Sequence, residues 1–219
     1  MSFAVRAWLS VLLLAATAYG GYSFWRHYQA SQTTPTFVAF KPSVDAEFDP
    51  TDRKQPKDYF STEAVERSGR TFRFEEMKGK VWLASFFFAS CPGSCRQINT
   101  SLSGLQHELD GKDVTIVSIT VEPDKDTPES LSAYANAYKA DTKRWLFVTG
   151  EHEKLKAMCV RGFEMSYGER FGAPSHHDRV TLVDQNGERQ GTYNVGKPEH
   201  LDALKKRIDE LLADAKERS

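Results

Sequence analysis

The hydrophobic pattern divides the chain into three stretches. Ala7 to Trp25 (AWLSVLLLAATAYGGYSFW) carries no charge and is bracketed by Arg6 and Arg26. As a helix rising about 1.5 Å per residue it would span about 28 Å, close to the thickness of a bilayer core. Tyr22, Phe24, Trp25 and Tyr28 gather at its far end, as an interfacial aromatic belt would. The rival reading is a cleaved signal peptide, with an apolar run from Trp8 to Ala16 and a small-x-small site at Ala16-Thr17-Ala18. Either reading exports the remainder of the chain, and no second hydrophobic span returns it. No cysteine comes directly after the run, so lipid attachment of the bacterial lipoprotein kind is not expected. Residues 29–58 then hold Pro35, Pro42, Pro50 and Pro56 among polar and charged side chains, which reads as an extended tether reaching up to about 100 Å.

From Tyr59 the pattern alternates between strand and helix periods, the mark of an α/β domain. Val81 to Ala89 (VWLASFFFA) is a near-continuous apolar run, as in a strand buried on both faces. Ile98, Leu102, Leu105 and Leu109 repeat at helical spacing up to Gly111. Val114 to Val121 reads as a second central strand, and Thr127-Pro128 opens a helix through about Ala140. Trp145 to Val148 is a short strand, and Glu153 to Phe163 a helix. Val180 to Val183, the turn Asp184-Gln185-Asn186-Gly187 and Thr192 to Val195 form a hairpin, and an amphipathic helix carrying Leu201, Leu204, Ile208, Leu211 and Leu212 closes the domain. The expected organisation is an anchor or signal over residues 1–28, a tether over 29–58 and an α/β domain over 59–215.

Composition narrows the class without naming a function. Twenty-nine Lys and Arg against 30 Asp and Glu leave a net charge of −1 over 219 residues, which argues against a nucleic-acid binder. A 40% hydrophobic content with 14 Phe and 4 Trp is enough for a packed core. Three cysteines are too few for a disulfide-stapled mini-protein, but two of them stand four positions apart, and an exported domain permits disulfide chemistry.

Those two, in Cys91-Pro92-Gly93-Ser94-Cys95, come after the buried strand and open the next helix. Pro92 suits the first helical position, which places Cys91 near the N-cap and Cys95 in the first turn. The positive helix end and Arg96 would favour thiolates there, and a low-pKa dithiol at a strand-to-helix junction is a thioredoxin-like arrangement. Redox thioredoxins separate the cysteines by two residues, whereas three separate them here. On a regular helix the Cβ atoms at i and i+4 are about 5–6 Å apart. A disulfide needs about 3.5–4.5 Å, so the first turn must tighten to close one. Two sulfurs on one metal lie about 4 Å apart at usual bond lengths. The pair can therefore act as a disulfide or as a two-thiolate clamp, and with one imidazole it suits Cu(I) or Zn. Two inert buried cysteines would be the plainer reading, but it suits neither the Pro-Gly context nor the helix start.

A third ligand would come from elsewhere. His107, His152 and His200 fall on or beside polar helix faces and read as solvated, and His27 belongs to the membrane border. His176 and His177 lie in a loop feeding a predicted strand, where a side chain can face a neighbouring helix start. Cys159 falls in a helical apolar stretch and reads as a small buried hydrophobe.

Together these features resemble the Sco/SenC family of membrane-tethered, thioredoxin-like copper proteins. The resemblance rests on the N-terminal anchor, Gly79-Lys80-Val81 before the buried strand, the Cys-Pro-x-x-Cys at 91–95, and Val121-Glu122-Pro123-Asp124-Lys125-Asp126-Thr127-Pro128 against the family's V-D-P-x-x-D-T-P. The family's metal histidine lies eleven residues before the glycine of L-x-D-x-x-G; counted back from Gly187 this selects His176, with Leu182 and Asp184 in place. His177, where the family has Thr or Ser, is the substitute. Two departures stand out: Arg96 replaces a common Pro after the second cysteine, and Glu122 replaces the Asp of V-D-P. The resemblance implies a thioredoxin-like fold with a central mixed sheet flanked by helices and an N-terminal transmembrane helix. It implies Cu(I), or Cu(II), held by Cys91, Cys95 and His176, with Asp126 and Glu122 supporting the site. The implied partner is the copper-site subunit of cytochrome c oxidase or another copper or thiol protein on the exported side of a membrane.

The competing reading is a metal-independent disulfide reductase or redox sensor outside the cytoplasm, with Cys91 and Cys95 as its redox pair. A peroxiredoxin would need Thr or Ser three residues before its reactive cysteine, where this chain has Phe88 and Pro92.

Overall fold

The computed structural model describes residues 19–20, 59–91, 93–163 and 179–217. The chain separates into two units, Met1–Ala46 and Glu47–Ser219. In the first, Tyr19 and Gly20 are helical. The rest of the anchor expected over residues 7–25 lies outside the described residues, as does the tether. Among the described residues no helix is long and apolar enough to cross a membrane.

The second unit is built on a seven-stranded sheet with strand order β2-β1-β5-β4-β3-β6-β7. Its strands are β1 (Glu63–Glu66), β2 (Thr71–Arg73), β3 (Val81–Phe87), β4 (Val114–Thr120), β5 (Trp145–Thr149), β6 (Val180–Val183) and β7 (Arg189–Tyr193). The central three, β3, β4 and β5, run parallel, while β1 and β2 on one side and β6 and β7 on the other pair antiparallel. Helices α1 (Ser94–Glu108), α2 (Pro128–Ala137), α3 (His152–Ala157) and α4 (Pro198–Glu217) flank this mixed sheet.

All seven residues of β3 are buried, because strand alternation sends them to two different cores. Val81, Leu83 and Phe87 join Ile98, Leu102 and Leu105 of α1, Leu131 of α2 and Ile208 of α4 on one face. Trp82, Ala84 and Phe86 join Phe72, Phe74, Leu155, Met158 and Cys159 on the other. A strand with two buried faces leaves little room for polar side chains, hence a near-continuous hydrophobic run interrupted by the buried Ser85.

Three elements differ from the pattern-based expectation. The β1–β2 hairpin has no counterpart in the hydrophobic pattern; its strands are only four and three residues long. The helix expected from Glu153 to Phe163 is α-helical to Ala157 and then widens into a π-turn over Met158–Gly162. The second hairpin strand begins at Arg189 rather than Thr192.

Candidate metal and thiol site

Strand β3 delivers the site. Its last residue, Phe87, accepts a hydrogen bond from the Val121 amide at 2.8 Å, which ties the strand end to the start of the loop after β4. The chain then turns, with the Cys91 amide donating to the Phe88 carbonyl at 3.1 Å. Two carboxylates of the 120–126 loop hold the turn from the side. The Ala89 amide donates to Asp126 Oδ2 at 3.1 Å and the Ser90 hydroxyl donates to Glu122 Oε2 at 3.3 Å. The Thr120 hydroxyl also donates to Asp126. Asp126 is only 3% exposed, and burial raises its carboxyl above the ordinary range against the pull of Thr120 and the Ala89 amide. Glu122 is further engaged by Lys125 Nζ at 3.0 Å.

Helix α1 begins at Ser94 with Gly93 as its N-cap, so Cys91 lies two residues before the cap rather than beside the first helical residue. Cys95 occupies the first turn as expected. Both cysteines are thiols. Cys91 keeps 8% of its surface exposed, whereas Cys95 has none. Burial, then the hydrogen bond that the Cys95 thiol donates to the neighbouring Cys91 sulfur, pushes the Cys95 thiol up to about 12 against a lowering contact with the Phe88 backbone. The thiolate expected at Cys95 from the helix end is therefore overturned. The reason is desolvation: Cys95 belongs to the apolar cluster of Phe87, Ile98, Leu102, Leu131 and Phe147, which disfavours a charge more strongly than one helix end favours it. Two soft sulfur donors in mutual contact, one at the surface and one beneath it, fit a soft cation that displaces their protons. They equally fit a dithiol in which the outer sulfur attacks and the inner one resolves.

The wall behind Cys95 is polar at one place. Asn99 lies one helical turn beyond Cys95, is 0% exposed, and donates from Nδ2 to the Tyr134 hydroxyl at 2.9 Å. The Tyr134 ring stacks on Phe87, with centroids 5.2 Å apart and planes at 22°. Burial raises the Tyr134 hydroxyl, with Tyr138 adding and Cys95 contributing last, so the Cys95 sulfur is near enough to oppose its ionisation. The hydrophobic pattern puts Tyr134 on the apolar face of its helix with Leu131 and Tyr138, but passes over Asn99. The available signal was that Asn99 falls on the same helix stripe as Cys95, Ile98 and Leu102.

Among the described residues no group of three Cys, His, Asp or Glu side chains is placed to hold a metal. His176 and His177 lie outside the described residues. Two of the described histidines are engaged elsewhere. His152 Nδ1 lies within hydrogen-bond distance of Asp124 Oδ2, at 2.8 Å on the surface, and His200 Nδ1 accepts from the Asn194 amide at 3.3 Å. Cys159 is fully buried in the core on the opposite face of the sheet, as a small hydrophobe should be.

A sequence model of the SCO1/SenC family matches residues 50–213. The chain belongs to the SCO1/SenC family. A SCO1 protein homolog of Bacillus subtilis is 29% identical over 133 residues, covering 58% of this chain and 69% of that protein. A solved SCO1/SenC family lipoprotein of Bacillus anthracis is similar at 27% identity with a TM-score of 0.63, over 72% of this chain and 94% of its own. BsSco, described with a disulfide switch and as a member of the Sco family of cytochrome c oxidase assembly proteins, is 26% identical with a TM-score of 0.58, over 75% and 95% of the two chains. Arabidopsis thaliana ScoI, solved with copper bound, shares the fold at 20% identity and a TM-score of 0.57, over 69% and 96%. The mixed sheet with flanking helices is thus the thioredoxin-like Sco fold, and the SCO1/SenC proteins are copper-binding as a family.

Proposed function

We propose that this chain carries copper for the assembly of a copper protein on the exported side of a membrane, the copper-site subunit of cytochrome c oxidase being the receiver that its family suggests. The observation that carries the reading is the contact between the Cys91 and Cys95 thiols at the β3–α1 junction. Cys91, Cys95 and His176 would hold Cu(I) as cargo, with His177 as substitute. Asp126 and Glu122 support the site by fixing the turn before Cys91. Residues 1–28 would tether the domain, residues 29–58 would give it reach, and 59–215 would form the working part. The copper-bound Arabidopsis relative and the lipoprotein relative support cargo and tethering respectively. Transfer would proceed by ligand exchange: a receiving thiolate displaces Cys91 from the metal, then takes the ion from Cys95.

The different exposure of the two sulfurs favours a second reading, reduction of a partner's disulfide. The Cys91 thiolate attacks one partner sulfur and the other leaves as a thiolate. Cys95 then attacks Cys91, forming the Cys91–Cys95 disulfide and releasing the partner as a dithiol, with two electrons transferred. Anaerobic titration of the reduced chain with Cu(I) against a competing chelator separates the two. One tight equivalent, lost in Cys91→Ala and weakened in His176→Ala but not in His177→Ala, is the expected result. Tight binding that survives Cys91→Ala would sink the clamp, and weak binding throughout would leave the dithiol as a redox centre.

A further inference from the structure

Helix α1 buries two amide side chains, and they are treated differently. Gln106 uses both ends: Nε2 donates to the Lys139 carbonyl at 3.0 Å and Oε1 accepts from the Asp141 amide at 3.0 Å. Asn99 uses one. Its Nδ2 serves the Tyr134 hydroxyl, while Oδ1 is buried with no partner among the described residues. A half-paired amide in an apolar core is costly, and a leucine, with the same branching, would leave no unpaired polar atom there. Asn99 is therefore at a position where something other than packing sets the residue.

The geometry points to Asn99 as a positioning residue that donates an amide N–H to the Cys95 sulfur when that sulfur carries Cu(I). This inference rests on the copper reading. A helical side chain leans back over the turn before it, and the residue one turn before Asn99 on that face is Cys95. The nearby Tyr134 hydroxyl can either accept or donate. When the amide turns over, Tyr134 donates to Oδ1 and Nδ2 takes the place of the atom that lacked a partner. The tie to Tyr134 survives, and two N–H groups become available toward the sulfur. A protonated thiol is a weak acceptor, so the metal-free protein gains little from the turnover. A metal-bound thiolate is a strong one, and a Cu(I) ion on two thiolates leaves a net negative charge in an apolar wall. One N–H aimed at that charge favours the loaded state specifically.

Asn99→Leu removes the amide and keeps the branching and heavy-atom count, with the more pliable Asn99→Met beside it in case the larger Leu disturbs the packing. Both are made in the full chain and first checked by urea unfolding, where they are expected to be folded. Under anaerobic chelator competition Cu(I) affinity should fall by about tenfold to a hundredfold, the worth of a hydrogen bond to a charged acceptor. In the Cu(II)-loaded protein the sulfur-to-copper charge-transfer absorption should move to longer wavelength, a change that a purely structural role would not produce. A folded variant with unchanged affinity and an unmoved band overturns the inference. If the unaltered chain itself fails to bind Cu(I) tightly, or binds it without Cys91, the copper reading falls first and takes this inference with it.

Discussion

Cys95 and Cys159 are both fully buried, yet of the two only Cys95 has a second thiol beside it. Cys159 belongs to the cluster of Tyr59, Trp82, Met158 and Phe163, where burial pushes its thiol up to about 12 from an ordinary 9.0. That direction fixes the sign of the pH dependence. A group whose pKa is raised by folding keeps its proton in the native state, so its contribution is complete below pH 9.0 and is lost as pH rises toward about 12. Urea unfolding of the reduced protein should therefore show stability falling over this alkaline window, and Cys159→Ala should make the fall shallower by one group. An unchanged slope would mean that Cys159 does not hold its proton. The motif at 91–95 placed two cysteines together at the strand-to-helix junction, where the structure has them, and the same three-residue spacing left disulfide and metal clamp equally open. Protonation state was not legible, because helix position is visible in sequence whereas the apolar wall of Phe87, Leu131 and Phe147 is assembled from three separate elements.

At the level of elements, periodicity was reliable where burial is two-sided or the stripe is long. Strand β3 and helix α1 sit where their hydrophobic patterns predict, and α2 starts at Pro128 with the Thr127 side chain accepting from the Ser130 amide. Periodicity failed where packing overrode it. The π-turn brings Gly162 against the Tyr59 ring, where an added Cβ would lie 3.2 Å from the ring edge, and that close approach depends on a distant residue. The β6–β7 turn is a case in which sequence and structure agree, and it is testable. Gly187 has φ +80°, its carbonyl accepts from the Tyr59 hydroxyl at 2.8 Å, and a Cβ there would meet the Phe60 ring at 2.4 Å. Gly187→Ala should cost at least about 1–2 kcal/mol from the left-handed backbone alone, with displacement of Phe60 adding to it. A denaturant midpoint unchanged from the parent would show that the turn relaxes freely.

On the scale of the whole molecule, the sheet separates two cores, and the proposed cargo would touch only one. Copper bound at the edge of the α1 core should stabilise the folded state through linkage. With free Cu(I) a hundredfold above its dissociation constant the gain is about 2.7 kcal/mol, or a rise in Tm of about 5–10 °C for a domain of this size. Excess chelator should reverse the shift, and Cys91→Ala should abolish it; a Tm indifferent to Cu(I) in the reduced protein would contradict the clamp. The depth difference between the two cysteines gives the site a direction. On the proposed reading an incoming sulfur would meet Cys91 before Cys95, so exchange would have a fixed order of bond breaking, the shallow bond yielding first and the deep one last. A small solvent thiol can reach the first step unaided. Completing the second would require a body that can press into the turn clasped by Asp126 and Glu122, and in this way burial of a single sulfur would separate stray reductants from a docked recipient.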